Sequence, residues 1–132
     1  MRVRMKAPRH PQELDHSLQL AVVGNCSYAA LIDQHARVVF ACLPRFDSDP
    51  MFSDLLSGGL ASHGFWDILL EDFSHAQQRY VRNTAILSTK LFTSGGDALE
   101  IIDFAPRFVH FNRSFHPTQL IRIVRECLTR VE

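Results

Sequence analysis

No stretch of this chain approaches the roughly 20 consecutive apolar residues that a membrane-crossing helix requires, so no membrane partner is read. Arg2, Arg4, Lys6, Arg9 and His10 crowd the start without an acid, but no apolar segment follows them, which excludes a secretory signal. Cysteine is scarce: Cys26, Cys42 and Cys127 stand far apart with no CxxC pair, which argues against a zinc ribbon or a dithiol motif. Three reduced thiols fit a cytoplasmic protein. The histidines are dispersed, and His63, His75, His110 and His116 show no i, i+4 pairing, so no metal is read. An excess of either charge is also missing. Fourteen basic residues cancel fourteen acidic ones, which gives no reason to expect a nucleic acid as partner.

Other chemistries lack their motifs. Gly58-Gly59 and Gly95-Gly96 have neither the lysine nor the helix of a phosphate loop. Ser27, Ser48 and Ser114 have no GxSxG context. Asp47-Ser48-Asp49 begins like a calcium loop but lacks its glycine and closing glutamate. No repeat or low-complexity segment is present, and no cofactor is implied.

What remains is a chain of 132 residues, 46% apolar and 21% charged, the profile of one soluble globular domain. Pro8 and Pro11 interrupt any regular element near the start, so residues 1–17 are expected to be a flexible basic arm and 18–132 the folded domain. Short apolar runs separated by turn residues predict a mainly β domain. Strands are expected over 18–23, 28–32 and 37–43, the last two joined by a tight turn at Asp33-Gln34-His35-Ala36. Pro44 ends the third. One or two turns of helix are expected over 51–56, stopped by Gly58-Gly59. Strands follow over 65–70 and 77–81, and then a hairpin of 85–93 and 97–104 whose two glycines supply positive φ. The last segment is ambiguous. Leu120, Ile123, Val124, Cys127, Leu128 and Val131 have helical spacing, although the alternation around Ile121 and Ile123 also fits a strand.

Carboxylates are plentiful in the expected loops: Asp33, Asp47, Asp49, Asp54, Asp67, Glu71, Asp72, Asp97 and Asp103. Acid/base catalysis needs two of them facing one bond with split pKa values, which spacing does not show, and turn and cap roles account for most. Trp66 and Phe65 could stack on a sugar ring, with Arg45 and Asp47 bonding its hydroxyls. In the alternative, Trp66 fills the core and Arg45 pairs with Asp47 to pin a loop.

Together, Gly24-Asn25, Ala29-Ala30-Leu31-Ile32-Asp33, Val38-Val39-Phe40 and Leu43-Pro44-Arg45-Phe46-Asp47-Ser48 resemble the N-terminal region of bacterial glycoside hydrolase family 15. This family contains glucoamylases and trehalase-like enzymes. The resemblance continues through Gly64-Phe65-Trp66, Gln78-Arg79-Tyr80-Val81, Asn83-Thr84, Leu87 and Ile101-Ile102-Asp103-Phe104, and ends at residues 120–125. The LPRFDS run is its most specific part. Departures are the absence of a glycine from Gln34-His35-Ala36, Ala41 where a bulky polar residue is frequent, and an unusually aromatic, histidine-rich stretch from His110 to His116.

The resemblance implies an antiparallel β-sandwich of supersandwich type, non-catalytic, packed on a C-terminal (α/α)6 barrel. That barrel hydrolyses α-glucosidic bonds in trehalose or glucans with inversion, using two carboxylates. Both would lie in the barrel, so no residue here is expected to be catalytic, and the chain is expected to be a truncated front portion. The resemblance also turns the last segment into a strand. Arg45, Phe46, Asp47 and Trp66 are the candidates for the domain interface or the outer edge of the substrate pocket. Two rivals stand beside this reading: a carbohydrate-binding β-module with an aromatic platform at Trp66, and an oligomerisation or scaffold domain. Unpaired strand edges lead to an expectation of self-association.

Overall fold

The computed structural model describes residues 18–56 and 64–127. Among them ten strands follow in chain order: β1 (Ala21–Gly24), β2 (Ala29–Ile32), β3 (Val38–Cys42), β4 (Pro50–Phe52), β5 (Phe73–Tyr80), β6 (Leu87–Thr93), β7 (Ala98–Phe104), β8 (Phe108–His110), β9 (Arg113–Phe115) and β10 (Ile121–Cys127). They build two four-stranded antiparallel sheets, ordered β1-β2-β3-β4 and β10-β7-β6-β5, and a separate hairpin, β8-β9. The mainly β sandwich expected from the sequence is therefore present. The basic arm at 1–17, the stop at Gly58-Gly59 and the end of the chain at 128–132 lie outside the described residues.

Side chains alternate between interior and surface along β2. Val23, Ala30, Ile32, Val38 and Ala41 of the first sheet meet Leu87 of the second in one buried cluster. Leu91, Leu99 and Ile101 of the second sheet form another with Ala36 and Leu70. Burying these apolar faces against each other is what holds the two sheets together.

The β2–β3 turn is built by Asp33, whose Oδ1 accepts the backbone N–H groups of His35 (2.8 Å) and Arg37 (2.9 Å). Ala36 takes φ 63°, the left-handed conformation glycine favours, while its methyl is fully buried. In the β6–β7 connection only Gly96 has positive φ (93°), not both glycines as expected. Thr93 helps to close this connection, its Oγ1 accepting the N–H of Asp97 at 3.0 Å.

Three expectations need correction. The helical turn over 51–56 is the short strand β4 followed by a hydrogen-bonded turn, because β4 finds β3 as a partner. The strand over 65–70 reduces to a single bridge between Trp66 and Val38, so its apolar residues pack without a ladder. The strand placed at 77–81 is longer, running from Phe73 along β6. The last segment is the strand that the resemblance implies, over its described part, although its apolar spacing also fits a helix. β10 pairs with β7 from Ile121↔Phe104 to Cys127↔Ala98. In that register Arg122 meets Asp103 and Arg125 meets Glu100, an odd spacing that puts the two pairs on opposite faces. A helix would have placed both arginines on one side.

Candidate functional site

Loops from both sheets converge at one end of the sandwich. Gly24 closes β1, and a Cβ there would lie 2.5 Å from the Tyr28 carbonyl oxygen, so the close approach requires glycine. Asn25 follows, only 2% exposed. Its Nδ2 donates to the carbonyls of Pro106 (3.0 Å) and Pro117 (2.7 Å). Its Oδ1 accepts the Ser27 N–H at 3.2 Å. Both amide hydrogens and the amide oxygen are thus used.

Pro106 and Pro117 flank the β8-β9 hairpin, so one buried amide clamps both sides of its neck. Three further contacts tighten this base. The Tyr28 hydroxyl donates to the Gln119 carbonyl, and burial pushes its pKa up to about 12. Ser27 Oγ lies 2.5 Å from His116 Nδ1. Arg107 donates to Cys26 Sγ at 3.2 Å.

The clamped hairpin is aromatic and exposed. Phe108 and Phe115 stack at 5.5 Å between centroids, and the His110 ring lies 4.1 Å from Phe111. Phe111 and Asn112 form the two-residue tip, with φ 47° and 55°. Positive φ at both positions is the signature of a type I′ turn, which favours asparagine and glycine. Phe111 is a bulky residue held in a costly conformation, and it is 85% exposed. An apolar side chain that gains little from folding and strains its own backbone points to a role outside the fold.

The LPRFDS loop lies at the same end, where Thr118 Oγ1 reaches the Pro44 carbonyl at 3.5 Å. Leu43–Pro44 is a cis peptide bond. Arg45 and Asp47 pair with each other at 2.9 Å, both largely exposed, and Ser48 Oγ accepts the Arg45 N–H at 3.2 Å. These bonds pin the loop and leave Phe46 62% exposed.

Trp66 is placed elsewhere. It pairs with Val38, at the other end of β3, a strand spanning about 13 Å. Trp66 is 39% exposed, and its ring is partly covered by Arg122, whose guanidinium carbon lies 4.8 Å from the centroid. Arg122 also donates to the Trp66 carbonyl (3.3 Å) and to both carboxylate oxygens of Asp103 (2.6 and 3.0 Å). That ion pair is fully buried. Burial pushes the Asp103 carboxyl above its ordinary range, and Arg122 opposes the rise. Burial likewise raises Asp67, against the field of Arg37. The structure therefore unites Arg45, Phe46 and Asp47 and separates Trp66 from them.

Four of the carboxylates singled out in the sequence are engaged within the fold. Asp33 caps a turn, Asp54 pairs with Arg37 at 3.2 Å, and Asp47 and Asp103 have their arginines. The Ser27–His116 pair resembles a nucleophile with its base, but among the described residues no third side chain orients the imidazole. Sequence reasoning missed the hairpin as an element. Its signal is the aromatic, histidine-rich stretch from His110 to His116, a departure from the family pattern. Among the described residues no helix is long and apolar enough to cross a membrane, and no cluster of three or more His, Cys, Asp or Glu could hold a metal ion.

The family model described as "Trehalase-like, N-terminal" matches residues 12–129. No curated protein matches the chain, and no solved structure matches it. With nearly its whole length covered, the chain belongs to the trehalase-like N-terminal domain family.

Proposed function

We propose that this chain is the non-catalytic N-terminal domain of an inverting α-glucosidic-bond hydrolase of glycoside hydrolase family 15, of glucoamylase or trehalase type. Its hairpin-and-loop end docks on the catalytic domain. Family membership supports the enzyme context. The observation that carries the docking role is Phe111, exposed and strained at the tip of a hairpin whose neck is clamped by a buried amide. Rigid aromatic anchors on a braced base are what interface hot spots use. Phe46 adds a second apolar contact, and the Arg45–Asp47 pair supplies a polar rim. Trp66 is assigned a separate contact, since it sits away from that loop. Trehalose or a glucan is the substrate of the catalytic domain, not of this one.

The test is association in trans. The 132-residue chain is titrated with the separately produced catalytic domain, and the dissociation constant is compared for the parent, Phe46→Ser and Phe111→Asn. Docking through this end predicts at least a tenfold weakening for Phe111→Asn, with no loss of melting temperature. An unchanged constant for both variants, or no association of the parent, overturns the docking role.

A second reading is favoured by one observation. Among the described residues β10 is an edge of its sheet, and Ile123 and Val124 on it are half exposed. A long apolar edge recruits another strand, so edge-to-edge self-association is proposed as well. Light scattering at high concentration tests it: a strictly monomeric species contradicts it.

A further inference from the structure

β1 and β5 are edge strands of different sheets, and the seam between the sheets opens along them. Tyr80 bridges this seam, its hydroxyl accepting the Val22 N–H and donating to the Val22 carbonyl, each at 2.8 Å. A groove of about 690 Å³ runs beside it, from the residues before β1, along β5, to Gln34 and His35 in the β2–β3 turn. Its size is that of a small-molecule cleft.

The lining has an unusual composition. Although 21% of the chain is charged, among the described residues no Asp, Glu, Lys or Arg lines the groove. The polar side chains are Gln19, Gln34, His35, Ser74, His75 and Gln78, and Phe73 and Tyr80 add ring surface. These side chains are held in place. Gln78 Nε2 donates to the Asp33 carbonyl (2.7 Å) and to Thr89 Oγ1 (3.0 Å). The His75 ring stacks flat on Phe92 at 4.5 Å, and the His35 ring meets Phe73 edge-on at 5.3 Å. Hydrogen-bonding capacity is left over. Among the described residues, Gln78 Oε1 and the His35 ring nitrogens have no partner, and His75 is bonded only from Nδ1, to Ser74 Oγ at 3.3 Å.

A charged ligand finds no counter-charge in such a groove and loses hydration on entering it. Amides and imidazoles donate and accept at once, which matches hydroxyl groups. Ring surfaces beside them cover the C–H face of a pyranose. We propose that this groove binds a neutral α-glucan segment, holding polymeric substrate beside the catalytic domain. The choice of a glucan among neutral saccharides rests on the enzyme context proposed above. The exclusion of charged ligands rests on the lining alone.

The experiment is a titration of the full 132-residue chain with maltoheptaose, followed by amide chemical shifts. The expected result is a saturable response confined to residues 18–21, residues 33–36 and β5, with a millimolar or tighter dissociation constant. His35→Ala with His75→Ala should weaken it at least fivefold at unchanged melting temperature, and Gln34→Ala gives an independent check should that double variant misfold. An oligogalacturonide of the same length should give no response. Absence of a saturable response to maltoheptaose, an equal response in the variants, or equal binding of the anionic oligomer overturns the proposal. Any of these leaves the docking role untouched, because that is read from association with the catalytic domain.

Discussion

Asn25 does more for this end of the molecule than its size suggests. Replacing it with aspartate keeps the shape but turns two donated hydrogen bonds into contacts between a carboxylate and two carbonyl oxygens. Leaving buried carbonyls unpaired costs about 1–3 kcal/mol each. Asn25→Asp is therefore expected to lose roughly 3 kcal/mol in urea unfolding. Arg122 is the other critical residue. Arg122→Met strands the buried Asp103 carboxylate and should cost about 3–5 kcal/mol. The double variant with Asp103→Leu should recover most of that loss, since an apolar pair of similar volume replaces a buried ion pair at little cost. A double variant no more stable than Arg122→Met alone would contradict this reading.

Glu100 makes an acid-sensitive contribution. The Ser88 hydroxyl first, and then Arg125, hold its carboxyl below the ordinary value of 4.5, against the effect of burial. An acid lowered in this way stabilises the fold above its unfolded pKa, and that contribution is lost as pH falls through the lower folded value. The stability difference between the parent and Glu100→Gln should thus be constant near neutrality and shrink below about pH 4.5. Asp103 and Asp67 are raised, so their sign is opposite: as pH falls they take up protons in the folded state first and partly offset the loss. A difference that does not change between about pH 3 and 7 would remove Glu100 from this role.

At the scale of elements, the β8-β9 hairpin separates stability from function. Phe111→Asn relieves a left-handed conformation that costs a bulky residue about 1 kcal/mol or more, while little buried contact is lost. It should raise the unfolding free energy by about 1 kcal/mol and weaken docking. A variant that is less stable than the parent would show that the hairpin serves the fold instead.

The strands that found local partners were legible in the sequence. β2 and β3 were announced by their apolar runs and by Asp33, whose side chain can build the turn itself. The β6-β7 hairpin was announced by Gly95-Gly96. β10 was not decidable from its own residues, because helix and strand share its apolar spacing; the arginines that settle it need Asp103 and Glu100 from a strand about 20 residues earlier. Residues 65–70 failed in the opposite way. They have the composition of a strand, but only Trp66 finds a backbone partner, and the rest of the segment is held by side-chain packing. Of the site, the Arg45-Phe46-Asp47 loop was visible as a motif. The clamp was not, since Asn25 reaches carbonyls 81 and 92 residues away and backbone carbonyls leave no mark in a sequence.

For the whole molecule, the two sheets divide the work. The first sheet contributes the LPRFDS loop and Asn25, and the second carries the hairpin between β7 and β10 and stabilises its far edge with two cross-strand ion pairs. Among the described residues Asp33 builds a turn, Asn25 clamps the hairpin neck, and Asp47, Asp54, Glu100 and Asp103 pair with arginines. The division of labour proposed here makes this domain a support for chemistry done elsewhere. The most direct measurement is glucose release by the purified 132-residue chain incubated with trehalose and with maltoheptaose. The expected result is release no faster than in buffer. Release that rises in proportion to protein concentration would contradict a non-catalytic domain.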